Sequence, residues 1–405
     1  MNIWIISLFD PTPFDNTQRG RYIGIGSEGN RLGHNITHFS CTFRHSSKVQ
    51  RFEKTHIINI NDGYKVVYIL ASPYKKSISL RRLLSHREFT QNLKRFINNW
   101  NHPDIILVAF PPISPSYYLT RWAKRNGIPI IIDIIDTWPD DLLGSFPKSF
   151  KFLFKLILYP LYYELNVILK YSSGVIAISN EYVTWAKSFG HSINKSGTFF
   201  PSVPYRKIRD IIERQKFKSK ENKSEKIRLI YAGSLGVTYD IPVILKAAEI
   251  IEKKHPGKTE FLIIGAGHYQ YLVLEYINKC DNIKYLGRLD HNDLIIQYAL
   301  ADIGLAQYPD NATQSVTYKF FDYLSAGLPI LNSLMTEMAV MTEKYQVGFN
   351  NPPGNAYKLT ENIEKFLLDR SLLEKYKQNA LIAASSKGDS EIVYKELVNF
   401  LISFK

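Results

Sequence analysis

Short apolar runs alternate with longer amphipathic stretches along the whole chain. The apolar runs are rich in isoleucine and valine and are bounded by turn-forming residues, as buried strands are. In the first half they predict strands at Asn2–Leu8, Ile36–Cys41, His56–Ile60, Tyr64–Leu70, Asp104–Phe110, Ile128–Ile134 and Gly174–Ile178. Stretches with helical periodicity lie between them, at Leu80–Asn99, Pro115–Asn126, Phe146–Tyr171 and Asn180–Phe189. Strands without polar alternation, separated by helices, are typical of a parallel sheet that is covered on both faces.

A second series of the same kind follows a polar stretch. Phe200–Pro204 contains two prolines, and Tyr205–Lys226 is charged and poor in apolar residues, which predicts a solvated linker. Beyond it we expect strands at Arg228–Ala232, Glu260–Ile264, Ile283–Leu286 and Ile303–Ala306, and helices at Pro242–Lys254, Leu294–Ala299, Asn355–Leu368, Ser371–Ala384 and Ser390–Phe404. We therefore predict an α/β fold with one domain over residues 1–204 and another over residues 205–385.

The composition is that of an ordinary globular protein. The chain has 405 residues, of which 45% are hydrophobic and 22% are charged, so two or three domains are expected. Cys41 and Cys280 are too few for a disulfide framework, which fits a reducing compartment. No apolar run reaches the roughly 20 residues that a spanning helix needs, and the first residues are better interpreted as a strand than as a signal peptide. We expect a cytoplasmic protein.

The net charge of +14 is concentrated in the first half of the chain. Residues 1–204 contain 24 Lys and Arg against 13 Asp and Glu, whereas residues 205–405 contain 27 against 24. An anionic lipid, a phosphorylated substrate or a nucleic acid could each be the partner of such a basic region.

Residues 146–171 combine this positive charge with apolar side chains. Lys148, Lys151 and Lys155 recur at helical spacing among Phe, Leu, Ile and Tyr, and Pro160 should kink or split the helix. The segment could lie on the anionic inner face of the cell membrane, or it could be a core helix whose lysines extend to solvent. The basic charge of the region favours the membrane.

The stretch from Thr313 to Leu331 holds the strongest candidate chemistry. A helix over Val316–Ala326 would carry Phe320, Phe321 and Leu324 on one face and Lys319 and Asp322 on the other, with Gly327 as a left-handed cap. A cation, a carboxylate and a helix N-terminus, with hydroxyls from Ser315 and Thr317, could hold a diphosphate and a ribose diol. The alternative is a solvated helix face with a weak ion pair.

Two motifs in the first half admit more than one interpretation. Gly24–Gly29 is a G-x-G-x-x-G sequence, but it does not follow its strand directly, so we interpret it as a glycine-rich helix that packs closely on a neighbour. Asp136 follows an isoleucine-rich strand, where ligand sites of α/β sheets lie. With Asp133, Asp140 and Asp141 it could bind a metal ion, although acceptor binding or helix capping fits the spacing better.

The stretch around Lys319 resembles the signature of retaining group 1 glycosyltransferases with the GT-B fold, in the subgroup that makes O-antigen and capsule. The matching positions are Ser315, Val316, Lys319, Tyr323, Ala326, Gly327 and Pro329. Asp322 replaces a glutamate, Thr317 a proline, and Gln314 an acidic residue of the broader family. The sequences Tyr-Ala-Gly-Ser-Leu-Gly, Ile-Ile-Gly-Ala-Gly and Tyr-Leu-Gly-Arg resemble other parts of its nucleotide-binding domain, and Asp136-Thr-Trp-Pro-Asp140 resembles a strand end of its first domain.

The resemblance implies two Rossmann-like doubly wound domains that face a central cleft, with a C-terminal helix, residues 386–405, packing back on the first domain. It implies that the second domain binds a nucleotide-sugar donor, which we expect to be UDP-linked, through Gly233, Gly236, Gly267, Arg288, Ser315, Val316, Thr317, Lys319 and Asp322. Because Val237–Asp240 supply no cation, Lys319 would carry more of the phosphate charge. We expect neither a cofactor nor a metal ion.

The first domain would bind the acceptor, a glycan or a lipid-linked polysaccharide precursor. Arg19 and Gly20, with Gln18 and Arg21 beside them, are candidates for contact with the acceptor or a phosphate, and Arg19 and Arg21 could equally be surface charge. Lys319 and Asp136 are the candidate catalytic residues.

Two other functions stay open. A nucleotide-sugar 2-epimerase could share the fold and would need no acceptor. A nucleic-acid-binding protein would fit the net charge, but the acidic residues interleaved in Tyr205–Lys226 argue against it.

Overall fold

The computed structural model describes residues 1–15, 20–76, 79–144, 151–191, 193, 195–218 and 226–405. Its strands are β1 Asn2–Ile6, β2 Asn35–Cys41, β3 Phe43–Arg44, β4 Val49–Gln50, β5 His56–Asn61, β6 Tyr64–Ile69, β7 Ile105–Phe110, β8 Ile130–Ile134, β9 Gly174–Ala177, β10 Ser196–Thr198, β11 Ile227–Ala232, β12 Thr259–Ile264, β13 Ile283–Tyr285, β14 Ile303–Ala306, β15 Ile330–Asn332 and β16 Gly348–Asn350. Its helices are α1 Arg21–Arg31, α2 Leu80–Ile97, α3 Ile113–Arg125, α4 Asp140–Gly144, α5 Lys151–Ile157, α6 Tyr159–Tyr171, α7 Asn180–Lys187, α8 Tyr205–Lys218, α9 Ile241–Lys254, α10 Gln270–Ile277, α11 His291–Leu300, α12 Tyr318–Ser325, α13 Glu337–Lys344, α14 Ala356–Leu368, α15 Arg370–Ala383 and α16 Ser390–Ile402.

The chain forms two compact units. The first unit comprises Met1–Phe200 and Glu391–Lys405, and the second comprises Pro201–Ser390. The chain therefore passes from one unit to the other twice, once after Phe200 and once after Ser390.

The first unit is built on a sheet in the order β10-β9-β8-β7-β1-β2-β6-β5. Its neighbouring strands are parallel, except that the edge strand β5 runs antiparallel to β6. The central strands β7 and β8 are buried along their full length, because helices cover both faces of the sheet. This explains why their sequences are continuous apolar runs rather than alternating ones.

The second unit is built on a parallel sheet in the order β13-β12-β11-β14-β15-β16. β11 lies at the centre of the sheet, and the loops at the carboxyl ends of β11 and β12 lie beside each other. The predicted α/β class, with two Rossmann-like doubly wound sheets, is confirmed. In such sheets the carboxyl ends of the strands are where ligands bind.

The glycine-rich segment is confirmed as a packing feature. A Cβ atom on Gly24 would lie 2.0 Å from the ring of Tyr394, and one on Gly26 would lie 2.6 Å from the Tyr64 hydroxyl. These glycines of α1 let Tyr394 of α16 and Tyr64 of β6 approach the helix backbone. Val393, Leu397 and related residues of α16 belong to the same core cluster as β1 and β2.

The prediction of a solvated linker after Pro204 is wrong for Tyr205–Lys218, which form α8. Ile208 and Ile212 are 1% and 0% exposed. Their spacing of four residues places them on one helix face, and this face packs against α11. The charged residues of Tyr205–Lys218 that suggested a linker belong to this helix, and residues 219–225 lie outside the described residues.

The apolar segment near residue 160 is divided, as Pro160 predicted. α5 ends at Ile157 and α6 begins at Tyr159, with Pro160 in its first turn. Phe146–Phe150, including Lys148, lie outside the described residues. The core-helix interpretation is wrong for α5, because Phe152, Leu156 and Ile157 are 78%, 58% and 61% exposed.

None of the helices in the described ranges combines the length and the apolar character needed to cross a bilayer.

A buried ion pair ties α1 to the end of β8. Nε of Arg21 donates to Oδ2 of Asp133 at 2.7 Å, and Nη2 donates to Oδ1 at 3.0 Å. Nη1 donates to the backbone carbonyl of Phe199 at 2.8 Å. Arg21 is therefore neither the surface charge nor the acceptor contact that the sequence suggested, since its side chain is enclosed and its donors are used by the protein.

We expect Arg21→Met to lower the free energy of unfolding of the first unit by about 3–5 kcal/mol, because the Asp133 carboxylate would stay buried without its partner. The five tryptophans all lie in residues 4–185, so their fluorescence in a urea titration reports on this unit.

The matched control is Arg31→Met on the same helix, where Arg31 pairs with Glu28 and is 64% exposed. This surface pair should contribute no more than about 1 kcal/mol. Equal urea midpoints for the two variants would contradict a stabilising role for the buried pair.

Candidate functional site

Backbone hydrogen bonds join the loops at the carboxyl end of the second sheet. The N–H of Gly233, after β11, donates to the carbonyl of Ile264 at 3.0 Å. The N–H of Gly265, after β12, donates to the carbonyl of Gly287, after β13, at 2.7 Å. The three loops therefore form one continuous surface.

Glycine is required where these loops touch. Gly265 has φ +136°, and a Cβ atom there would lie 1.7 Å from the carbonyl oxygen of Gly233. Gly267 has φ +155°, and a Cβ atom there would lie 2.7 Å from the backbone of Leu235 and 3.0 Å from the nitrogen of Gly236. The structure thus brings together Gly233, Gly236 and Gly267, three of the predicted donor-binding residues.

Lys319 reaches this surface from the first turn of α12. Its Nζ donates to the backbone carbonyl of Ala232 at 2.6 Å, and the residue is 9% exposed. A Cβ atom on Gly233 would lie 2.5 Å from Nζ, so the ammonium group lies directly against the glycine loop after β11.

Tyrosine rings, which the sequence analysis missed, surround this ammonium group. Nζ of Lys319 lies 4.3 Å from the ring centroid of Tyr231 and 4.6 Å from that of Tyr239. Tyr308 packs against Tyr239 with 5.3 Å between ring centroids. The negative faces of the rings attract the cation, but no hydropathy pattern links a tyrosine of β11 with tyrosines of the loops after β11 and β14.

Burial lowers the pKa of Lys319 to about 7, and the nearby Asp322 opposes this change. An ammonium group with this pKa is close to half-protonated at neutral pH. A bound anion would favour its charged form, so the site can respond to a phosphate group by taking up a proton.

The alternative of a solvated helix face is not what α12 forms. Lys319, Phe320, Phe321, Asp322 and every residue on to Ser325 are buried. The reason is that α15, α8 and the strands β14 and β15 pack around the helix, and Lys319 lies against the glycine loop after β11. A solvated face with a surface ion pair is therefore excluded for Lys319 and Asp322.

The residues before α12 have different environments. Ser315 and Val316 are 1% and 3% exposed, and the Ser315 carbonyl accepts a hydrogen bond from Oγ1 of Thr336 at 2.7 Å. Thr317, the N-cap of α12, is half-buried, and its hydroxyl lies 3.1 Å from that of Tyr308. Ser315 and Val316 fix the segment, and Thr317 is the residue that keeps some access to solvent.

Arg288 follows Gly287 at the edge of the same surface. Its side chain is exposed. The backbone next to it is held in place, because the Gly287 carbonyl accepts a hydrogen bond from the N–H of Gly265 in the loop after β12. Tyr285 reinforces this position, because its hydroxyl donates to the carbonyl of Gly265 at 2.8 Å.

In the first unit, carboxylates gather at the carboxyl ends of β1 and β8. Burial raises the pKa of Asp136 to about 6, with Asp141 adding to the effect and Arg82 opposing it. Part of Asp136 is nevertheless open to solvent. Burial also raises the pKa of Asp10 to about 7, with the charge of Asp133 as the next cause. Asp10 was not predicted, although it lies in the loop after β1.

Arg82 lies beside these carboxylates, and the sequence analysis missed it. Its Cζ is 4.8 Å from the ring centroid of Phe9 and 5.0 Å from that of Trp138. The two aromatic contacts fix a guanidinium group near Asp136. Arg82 belongs to the first turn of α2, and only the fold brings it to the loops after β1 and β8.

Further basic groups are close to Arg82. Nζ of Lys48 donates to Nδ1 of His45 at 3.2 Å, and the Tyr74 hydroxyl lies 2.7 Å from the same nitrogen. Burial lowers the pKa of His45 to about 4 and that of His86 to about 3, and the charge of Arg82 adds to both changes. Two neutral histidines and two fixed cations thus form a basic cluster that is suited to an anion.

The predicted loop at the start of α1 is described only in part. Gly20 directly precedes the helix, where free backbone N–H groups are expected. Gln18 and Arg19 lie outside the described residues. Within the described ranges as a whole, no three His, Cys, Asp or Glu side chains are grouped so that they could hold a metal ion.

Residues 212–382 match the family model described as glycosyl transferases group 1. This segment lies inside the second unit and carries all the residues predicted to bind the donor. Residues 212–382 are therefore similar to the group 1 glycosyltransferases.

Solved structures resemble the chain over its whole length. Sucrose-phosphate synthase from Thermosynechococcus elongatus is 13% identical with a TM-score of 0.72, over 99% of this chain and 98% of that one. WaaG, a glycosyltransferase involved in lipopolysaccharide biosynthesis, is 14% identical with a TM-score of 0.66, over 99% of each chain. HepE from Anabaena, solved in complex with UDP, is 13% identical with a TM-score of 0.70, over 100% of each chain. At these identities the likeness shows the fold, which is GT-B. No curated protein matches the sequence significantly.

We expect the stability of the second unit to carry a pH dependence from Lys319. In the unfolded chain the amine keeps its ordinary pKa of about 10.4, whereas burial lowers its pKa to about 7 in the folded chain. Between pH 7 and pH 9 the unfolded state therefore binds more protons, and stability rises with pH by up to about 1.4 kcal/mol per pH unit.

Lys319→Met removes this contribution. The difference in free energy of unfolding between the wild type and the variant, measured by far-UV circular dichroism in urea, should shift in favour of the wild type from pH 7 to pH 9. A difference that stays constant over this range would show that Lys319 titrates as an exposed amine does.

Proposed function

We propose that this chain, whose second unit contains the match to the group 1 glycosyltransferase model, transfers a sugar from a UDP-linked donor to a lipid-linked or cell-surface polysaccharide precursor. The observation that carries the proposal is the buried Lys319 ammonium group against the glycine loop after β11. Two of the similar structures support the choice of substrates: HepE was solved with UDP and with UDP-glucose, and WaaG is involved in lipopolysaccharide biosynthesis.

The glycine loops and Lys319 would hold the diphosphate of the donor. The loops offer backbone without side chains, so a phosphate can approach closely. When the bond between the anomeric carbon and the diphosphate breaks, the diphosphate keeps the electron pair and gains negative charge. Lys319 would stabilise this charge, and a donor of this kind contributes about 3–4 kcal/mol to a transition state. No metal ion is needed in this proposal.

Asp322 and Arg288 would complete the donor site. Asp322 lies one helical turn after Lys319, and its charge favours the protonated form of Lys319. We assign it to the ribose hydroxyls, and the exposed Arg288 to the base. Both assignments follow the resemblance of the sequence to the family signature.

The carboxyl edge of the first sheet would bind the acceptor. With its pKa at about 6, Asp136 is ionised at neutral pH and can accept a hydrogen bond from the attacking hydroxyl. We propose that this oxygen attacks the anomeric carbon on the face that the diphosphate leaves, which retains the configuration, and that its proton passes to the departing phosphate oxygen. Arg82 and Lys48 would pair with a phosphate group of a lipid-linked acceptor.

α5 would place the enzyme on the inner face of the cell membrane. Phe152, Leu156 and Ile157 expose more than half of their surface, and Lys155 on the same short helix is exposed as well. Apolar and basic side chains together bind an anionic bilayer surface. The basic charge of residues 1–204 acts in the same direction.

The donor site can be tested with a panel of nucleotides and nucleotide sugars. We expect UDP and one UDP-sugar to raise the melting temperature of the wild type, because a ligand that binds only the folded state stabilises it. Gly265→Ala should abolish this shift, since its Cβ atom would lie 1.7 Å from the Gly233 carbonyl oxygen and would separate the loops.

Gly257→Ala is the matched control. Gly257 also has a positive φ, +69°, but a Cβ atom there would meet no atom within 4 Å. This variant should lose some stability through backbone strain and keep the UDP-induced shift. A UDP shift of full size in Gly265→Ala would remove the glycine loops from the donor site.

The same panel separates the transferase from an epimerase. The transferase consumes the donor only in the presence of an acceptor, apart from slow hydrolysis, whereas an epimerase forms a new UDP-sugar from the donor alone. Chromatography of donor-only incubations distinguishes the two reactions.

Membrane binding can be tested by flotation with phosphatidylcholine vesicles that contain or lack 30% phosphatidylglycerol, about 0.3 mole fraction of anionic lipid. We expect binding to the anionic vesicles only, and at least about tenfold weaker binding for Phe152→Ser/Leu156→Ser, because each buried apolar side chain contributes about 1.5–3 kcal/mol.

Val340→Ser/Leu368→Ser is the control, since these residues of the second unit are 62% and 75% exposed. It should bind as the wild type does. Equal loss of binding in both double variants would show that α5 is not the membrane contact.

A further inference from the structure

A cavity of about 670 Å³ lies at the amino-terminal edge of the first sheet. It opens where β1, β2 and β6 begin, and it includes the last residues of the antiparallel edge strand β5. Asp136 and Arg82 belong to the opposite, carboxyl edge of the same sheet. The cavity is therefore separate from the acceptor site proposed above.

Asparagine dominates the lining of this cavity. The asparagines come from three separate parts of the first unit, namely the strand starts, β5 and the loop after α2: Asn2, Asn35, Asn59, Asn61, Asn99 and Asn101. The side chains of Asn2 and Asn35 are hydrogen-bonded to each other: Nδ2 of Asn35 donates to Oδ1 of Asn2 at 3.2 Å. Within the part of the chain that the structure describes, the other four make no side-chain hydrogen bond to the protein.

Amide side chains match the chemistry of sugar hydroxyls. Each amide offers two N–H donors and a carbonyl acceptor, and each hydroxyl both donates and accepts. Asparagine is common in turns, but a preference for turns does not explain why three distant segments place their amides around one cavity. The charged side chains in the lining are one lysine and one aspartate, so the cavity has no excess charge for a phosphate or a nucleotide.

Trp100 adds an aromatic surface to these amides. It lines the cavity, and together with Asn99 it also lines a second cavity of about 480 Å³. The two cavities thus adjoin at Asn99 and Trp100, and we refer to them together as the trough.

The Trp100 ring already makes a cation–π contact within the protein. Nζ of Lys65 lies 4.7 Å from the indole centroid. The face of an aromatic ring is negative, and the polarised C–H groups on the face of a sugar ring are attracted to it as a cation is. The long side chain of Lys65 is flexible and can move aside, where its ammonium group can donate to a sugar hydroxyl.

We propose that this trough is a second, non-catalytic binding site for a neutral oligosaccharide. That the oligosaccharide is part of the polysaccharide acceptor rests on the proposed function, whereas the binding itself does not. Such a site would retain a growing glycan on the enzyme while its reacting end is exchanged.

The test uses the full-length protein on an array of immobilised neutral oligosaccharides, including bacterial polysaccharide fragments. We expect the wild type to bind at least one of them. Trp100→Ala and Asn61→Ala/Asn99→Ala should each weaken that binding at least tenfold, and Asn292→Ala, an exposed asparagine of α11, should leave it unchanged.

Two outcomes would overturn the site. The first is that no neutral oligosaccharide on the array is bound. The second is that both trough variants bind as strongly as Asn292→Ala does. The double asparagine variant keeps the test valid if Trp100→Ala fails to fold, since the four unbonded amides do not hold the protein together.

The melting-temperature shift with UDP is measured on the same variants. It should be unchanged in all of them, because it reports on the second unit. If a variant loses binding to the array but keeps the UDP-induced shift in melting temperature, the loss is due to the trough alone. If UDP does not shift the melting temperature of the wild type, only the proposed function is contradicted.

Discussion

A buried ammonium group needs protein groups that replace its water, and the surface formed by the glycine loops of the second unit is arranged around this need. Lys319 obtains a carbonyl from Ala232, the faces of Tyr231 and Tyr239, and the charge of Asp322. These partners do not fully compensate for the lost water, since the pKa of Lys319 still falls to about 7. The remaining deficit is what a diphosphate would relieve.

The first unit manages charge differently. Arg21 and Asp133 neutralise each other at the sheet edge. The third guanidinium nitrogen of Arg21 donates to the carbonyl of Phe199, so all three nitrogens are bonded within the protein. Asp136 and Arg82 lie nearer to solvent, and burial moves the pKa of Asp136 without neutralising it. One pair thus stabilises the edge, and the neighbouring groups remain able to bind a substrate.

Hydrophobic periodicity predicted both sheets, because parallel strands that are buried on both faces leave continuous apolar runs in the sequence. It failed for α8, where a few isoleucines at helical spacing were outweighed by the surrounding charge. The motif around Lys319 could be recognised because it is contiguous. The tyrosines around Lys319 and the basic groups around Arg82 come from separate parts of the sequence, so their proximity exists only in the folded chain.

The last helix gives the chain an order of assembly. α16 covers one face of the first sheet, and the ring of Tyr394 fits against Gly24 of α1. A ribosome releases these residues only after it has made the whole of the second unit. During synthesis, the apolar surface formed by Tyr22, Ile25 and Ile36 therefore stays uncovered until the end, and the nascent first unit depends on either rapid completion or a chaperone to avoid aggregation.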